Sequence, residues 1–289
     1  MPAACATGVR VREDEDMARF VIVPQWQGSP SSRAMQLIDG AQAIAGDLPR
    51  ASCTTIDVPL EAGESVGTGV HRYSTLRRTR ELVDLELAPL ADPVILIGGD
   101  CGAAVGAVGH AARRHPQVAV VWLDAHPDLH SPGSSPSGAF SGMALRAILG
   151  DGAEGLTLAP GDVVAERLVL AGAREYEPAE DGAVADLAIR TLDAATLSEH
   201  DALAEAVTAT GATAVYIHVD LDVLDPAAMS GVTASVPFGV SLADLLGSIS
   251  RLRAALPLVG SSITGFAPPS PAAAVDDLGT ILRIVGALA

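Results

Sequence analysis

The stretch VILIGGDCGA, residues 94–103, decides the fold. Four branched aliphatics running into two glycines read as a buried strand that stops at a tight loop. In an open α/β sheet, loops of this kind are where ligands collect. Asp100 and Cys101 stand in this loop. From these residues alone, Cys101 reads as a small core residue, a nucleophile or a metal ligand.

Working outward, further apolar runs lie at 20–23, 118–123, 167–171, 214–219 and 259–264. Helix-like segments separate them at 31–48, 74–90, 103–114, 142–149 and 242–256. This alternation predicts βαβ units, hence an α/β fold with a mostly parallel central sheet and helices on both faces. The 289 residues are 49% hydrophobic and 18% charged, ample for a sizeable core and too apolar for disorder. No repeat or linker divides the chain, which predicts one domain over 20–289. Residues 1–19 read as a disordered lead-in, and Met17 as an alternative start.

A net charge of −17 disfavours nucleic acid and anionic membranes as partners, because both need a basic patch. No apolar run reaches transmembrane length. The lead-in lacks the hydrophobic centre of a signal peptide. Three cysteines form no spaced framework, which fits a reduced, cytoplasmic setting. The expected partner is a small molecule, and self-association into a homo-oligomer stays open.

The strongest chemical signal is VWLDAHPDLH, residues 121–130. After the strand runs out, Asp124, His126 and Asp128 alternate, so an extended chain points all three the same way. Pro127 stiffens the turn. A polar loop is the plainer reading, but the run VYIHVDLDVLDP at residues 215–226 repeats the pattern with Asp220 and Asp222. Asp225 beside Pro226 reads as turn chemistry instead. Carboxylates beside hydrophobic strands are costly unless compensated, and a metal pair supplies the counter-charge. An oxygen-rich set with an imidazole favours manganese over magnesium. Two such ions acidify a water held between them, so the residues point to metal-assisted hydrolysis.

In this order and spacing, GGDCG, DAHPD and HVDLDVLDP resemble the signature blocks of the ureohydrolase (arginase/agmatinase) family, over most of the chain from Phe20 onward. The resemblance implies a three-layer α/β/α fold and two Mn2+ ions hydrolysing a guanidino group. By motif, Asp124 and Asp220 would bridge the ions, Asp128 would serve one, and His126 and Asp222 the other. Cys101 stands where the family has a ligating histidine for the ion that Asp128 serves. The same resemblance places Ser137 and His130 at the substrate α-carboxylate. It places Glu177 and Glu180 at the α-amino group, so an α-amino acid substrate is expected.

Two further departures concern the guanidino end. Ser141 replaces a histidine that the family is thought to use to shuttle protons, and Phe266 replaces a glutamate that neutralises the guanidinium. A phenyl ring cannot accept those donors, and an unpaired buried cation is costly. An N-hydroxyguanidine is less basic, so a large fraction is neutral near pH 7. The reading is therefore hydrolysis of Nω-hydroxy-L-arginine to L-ornithine and hydroxyurea. It is similar to the branch of the family that serves D-cycloserine biosynthesis. Hydrolysis of arginine or another guanidino acid is the first alternative, and a catalytically inactive metal-binding homologue the second. His218 alternates onto the same strand face as Asp220 and reads as a packed core histidine or a residue behind the ligands.

Overall fold

The computed structural model describes residues 18–91 and 93–289. Met17 and nearly all of the predicted lead-in fall outside the described residues. Arg19, inside that lead-in, pairs with Val94 in the sheet.

In chain order the described residues form β1 (Arg19–Val23), α1 (Gln36–Gly46), β2 (Cys53–Thr55), α2 (Tyr73–Leu87), β3 (Val94–Gly98) and α3 (Ala104–Arg114). Next come β4 (Val118–Leu123), α4 (Ala144–Ile148), β5 (Leu168–Ala171), α5 (Pro178–Asp186) and β6 (Arg190–Leu192). The chain continues with α6 (Asp201–Thr208), β7 (Ala214–Asp220), α7 (Leu242–Ala255), β8 (Leu258–Thr264) and α8 (Val275–Leu288).

All eight strands join one sheet in the order β2-β1-β3-β8-β7-β4-β5-β6. Every pairing is parallel, so the expectation of a mostly parallel sheet holds in its strict form. The sequence reason is visible in β3, β4 and β7, which are apolar nearly throughout and buried at every position. Alternate residues feed two separate cores. Val94 and Leu96 pack with Leu76 and Val83 of α2 and Val105 of α3. Ile95 and Ile97 pack with Ile44 of α1, Ile249 of α7 and Ile281 of α8. Helices therefore cover both faces, giving the three layers.

Two strands carried no apolar signal. β2 is Cys-Thr-Thr and β6 is Arg-Thr-Leu, three-residue strands at the two edges of the sheet. The helix expected from residue 31 begins at Gln36, because the Ser29 and Ser31 hydroxyls capture the N–H groups of Ser31 and Arg33 and hold the chain in turns. α7 starts where a cap is available, with Ser241 Oγ accepting the Asp244 N–H at 3.1 Å.

Because the sheet is wholly parallel, every strand delivers its carboxyl end to one edge. β3, β8, β7 and β4 are consecutive neighbours at the centre. Their exits set the positions of Cys101, Thr264, Asp220 and Asp124.

Candidate metal centre

A cavity of about 270 Å³ opens at this edge. Its wall contains Cys101, Asp124, His126, Asp128, Asp220 and Asp222, together with His130, Ser137, Ser141, Glu177 and Glu180. Of the twelve residues singled out in the sequence, the structure leaves only Phe266 off this wall. Phe266 is buried in the core beneath α1 and α8, where a Cβ on Gly231 would meet its ring at 2.9 Å. Gly265 lines the cavity in its place.

The acids form two clusters that share one member. Cys101, Asp124, His218 and Asp220 bring one donor atom each within 4.8 Å of one another, and Asp124, His126 and Asp222 do the same. Asp128 lines the same cavity but joins neither cluster.

Local hydrogen bonds hold these carboxylates in place. Asp124 Oδ1 accepts the N–H of His126 at 2.7 Å, and Asp220 Oδ1 accepts that of Asp222 at 3.0 Å. Each D-x-[HD] pair thus closes a small side-chain-to-backbone turn that aims both residues at the cavity. Asp222 Oδ1 accepts the N–H of Ala125 at 3.0 Å, stitching the two loops together. Gly265 makes room for this arrangement. Its φ is +88°, and a Cβ there would lie 2.2 Å from Asp220 Oδ1.

Burial and the crowding of acids govern the electrostatics of this wall. Burial pushes Asp220 up to about 7, with the Asp222 charge adding to it. Burial and neighbouring acids likewise raise Asp128, Asp124 and Asp222. The Cys101 thiol is pushed well above its ordinary value by burial and by the charges of Asp220, Asp128 and Asp124. His126 moves the other way from most buried histidines. Burial lowers it, but hydrogen bonds and charges from Asp124 and Asp222 outweigh that and raise it. Its Nδ1 lies 3.0 Å from Asp222 Oδ2 and its Nε2 3.5 Å from Glu175 Oε2.

Asp128 supplies the fit test. It adopts a left-handed backbone at φ +54°, and its buried Oδ2 has no hydrogen-bond partner. A strained residue holding an orphaned carboxylate oxygen among three other buried acids fits a divalent cation. The donor set is oxygen-rich, with the imidazoles of His126 and His218 and one sulfur. The second cluster carries an imidazole and two carboxylates, a set that manganese accepts.

The far end of the cavity is built differently. Both Glu180 oxygens are engaged, accepting the N–H groups of Leu129 at 3.2 Å and Glu177 at 3.1 Å. Glu177 is exposed at the rim, 3.4 Å from His130 Nε2. The other ring nitrogen of His130 lies 3.1 Å from Ser134 Oγ.

The sequence model of the "Arginase family" matches residues 28–278. The chain belongs to the arginase family. It is 30% identical over 198 residues to an arginase of Staphylococcus aureus, a match covering 64% of each chain, so it spans just under two thirds of that relative's length. The fold matches the arginase of Entamoeba histolytica, solved in complex with L-ornithine, with a TM-score of 0.83 at 22% identity, covering 94% of this chain and 97% of that one. Proclavaminate amidinohydrolase from Streptomyces clavuligerus matches with a TM-score of 0.68 at 21% identity, covering 94% and 90%. These agreements bear out the ureohydrolase resemblance and the arginase-like α/β fold read from the motifs.

Sequence reasoning missed several residues that shape the site. Arg174 spreads its guanidinium over backbone carbonyls from three segments, including Asp222 at 2.8 Å and Val236 at 2.8 Å. Asp100 ties Gln25, Gly28 and Gly102 together beneath Cys101. Glu175 reaches His126, and Thr264 reaches Asp220. Arg174 and Glu175 lie inside the AGAREYEP segment at residues 171–178, so their proximity to Glu177 was the available signal.

Proposed function

We propose that this chain is a manganese-dependent amidinohydrolase acting on Nω-hydroxy-L-arginine, one domain over residues 20–289. The observation that carries the reading is the pair of buried clusters sharing Asp124 at the floor of a cavity sized for a small amino acid. In this reading Asp124 and Asp220 would serve both of two ions, His126 and Asp222 one of them, and Cys101 and Asp128 the other. When bound, such ions supply Lewis-acid activation of water near neutral pH.

The chain's own residues do the rest. Glu177, His130 and Ser137 at the rim receive the α-amino and α-carboxylate groups, which supports an amino acid over a simple amine. Glu180 keeps the rim in register by holding Leu129 and Glu177. Water adds to the guanidino carbon, the bond to the δ-nitrogen breaks, and the departing amine takes a proton. His126 would offer Nδ1, beside Asp124 and Asp222, to an ion and keep a proton on Nε2 facing Glu175. Ser141 offers only a hydroxyl where an imidazole shuttle would stand, so the substrate's own N-hydroxyl is left to assist.

No carboxylate lines the wall at residues 265–266, where a guanidinium would need one. A largely neutral hydroxyguanidine needs none, which supports hydroxyarginine over arginine. L-Ornithine and hydroxyurea are the products, and the setting is antibiotic biosynthesis of the D-cycloserine kind. Free thiols at Cys53 and Cys101 support a reducing, cytoplasmic location.

Similarity to arginases supports a second reading, hydrolysis of arginine itself. Steady-state assays with added Mn2+ on the two substrates decide between them. Higher kcat/KM on hydroxyarginine is expected, and equal or better turnover of arginine would establish the second reading. Metal-dependent hydrolysis of neither would leave an inactive homologue.

A further inference from the structure

His218 is fully buried and takes no part in the chemistry above. It lies two residues before Asp220 on β7, in register with Trp122 of β4 and Ser262 of β8. Its ring stacks on the Trp122 indole, with centroids 3.5 Å apart and planes inclined by 17°. That contact fixes the plane of the imidazole, so its two nitrogens can address only what lies at the ring edge.

Both edges are met by hydroxyls. Ser262 Oγ lies 2.7 Å from Nδ1, and Thr264 Oγ1 lies 3.4 Å from Nε2. Thr264 Oγ1 in turn donates to Asp220 Oδ2 at 3.0 Å. A threonine hydroxyl has one proton, and Asp220 takes it, so the Thr264 oxygen is left to accept from Nε2–H. Nδ1 then accepts from Ser262. The donors run one way, from Ser262 through His218 and Thr264 to the Asp220 carboxylate.

We infer that His218 is a positioning residue for the metal centre, acting through Thr264 to orient the Asp220 carboxylate. The inference rests on the reading of Asp220 as a metal ligand. Two observations beyond the hydrogen bonds support it. Asp220 Oδ1 is already fixed by the Asp222 N–H and crowded by Gly265, so Oδ2 is the oxygen whose direction remains to be set. Oδ2 also meets the Cys101 thiol at 2.9 Å, a partner that an incoming ion would take away. The Thr264 hydroxyl is then the fixed contact that keeps Oδ2 aimed. Direct ligation by His218 is the competing arrangement, since its nitrogen lies within 4.8 Å of the Cys101, Asp124 and Asp220 donors. Thr264 Oγ1 stands within reach of all three sides, 3.4 Å from His218, 3.0 Å from Asp220 and 3.6 Å from Cys101.

The test is a titration of the full-length, metal-free protein with Mn2+ alone, reading affinity from the spin-resonance signal of free Mn2+. Thr264→Val, nearly the same shape, and His218→Leu should each weaken binding of one ion by roughly 10- to 100-fold. The double variant should be little worse than the weaker single, because both break one chain. His218→Gln, which keeps a donor and an acceptor, should recover most of the loss. Undiminished affinity in folded Thr264→Val overturns the inference even if His218→Leu fails to fold. So does normal binding in Thr264→Val with loss in both His218 variants, which would make His218 a direct ligand. Asp220→Asn serves as the control. If it keeps both ions, the ligand reading of Asp220 fails instead.

Discussion

Cys101 Sγ donates to Asp220 Oδ2 at 2.9 Å, joining the loop after β3 to the end of β7 across the intervening β8. The thiol keeps its proton because burial and three facing carboxylates disfavour the thiolate. Only the thiolate is an effective metal ligand. An ion entering beside Cys101 must therefore displace both a proton and a hydrogen bond.

Replacing that thiol with an imidazole removes the obstacle. Cys101→His should tighten binding of one Mn2+ by on the order of tenfold or more, given the better match of imidazole to manganese. Calorimetric titration of wild type and variant checks it, and equal affinities would mean that residue 101 does not face an ion.

The raised carboxylates predict how stability responds to pH. Asp220 shifts from an ordinary 3.8 to about 7 in the metal-free fold. Between those values the folded chain holds a proton that the unfolded chain has released, so the site's contribution to stability falls as pH rises. Asp124, Asp128 and Asp222 shift in the same direction. Ions bind the deprotonated groups, so the gain in Tm from added Mn2+ should grow between about pH 5 and about pH 8. Melting curves with and without metal measure this. A gain independent of pH would contradict it.

Phe266 should behave as a core residue. Phe266→Ala is expected to cost about 3–5 kcal/mol in urea denaturation, as for other large buried rings. Phe266→Glu buries a carboxylate in the same place and should destabilise at least as much, without creating arginine turnover. A stable Phe266→Glu variant with arginase activity would show that the side chain can swing into the cavity.

The two rim glutamates should separate cleanly. Glu180 satisfies two backbone donors, so Glu180→Ala should lower stability by about 1–3 kcal/mol. Glu177 is exposed, so Glu177→Ala should change stability by less than about 0.5 kcal/mol while raising KM with little change in kcat. Equal stability losses in both would assign them one structural role.

The motif residues were legible because acids following an apolar strand are costly without a counter-charge, and their spacing of two gives them one direction. The layered fold was legible for a similar reason, since strands buried on both faces read as unbroken apolar runs. β2 and β6 escaped because edge strands need no such run. Thr264 and Ser262 escaped because a hydroxyl on a strand looks ordinary until its neighbour across the sheet is known. Phe266 shows the limit most directly. Its alignment position was readable, but the direction of its ring depends on the space left by Gly231.

The strand order has a consequence for how this centre comes into being. β8 is the last strand in the chain, yet it sits between β3 and β7 at the middle of the sheet. Without it there are two half-sheets, one carrying Cys101 and the other carrying Asp124, Asp220 and Asp222. During synthesis the cluster of Cys101, Asp124, His218 and Asp220 cannot close until residues 258–264 have emerged and inserted. Asp124, His126 and Asp222, by contrast, stand at the exits of the adjacent strands β4 and β7. A ribosome-bound chain lacking β8 would thus hold the Cys101 thiol apart from Asp124 and Asp220.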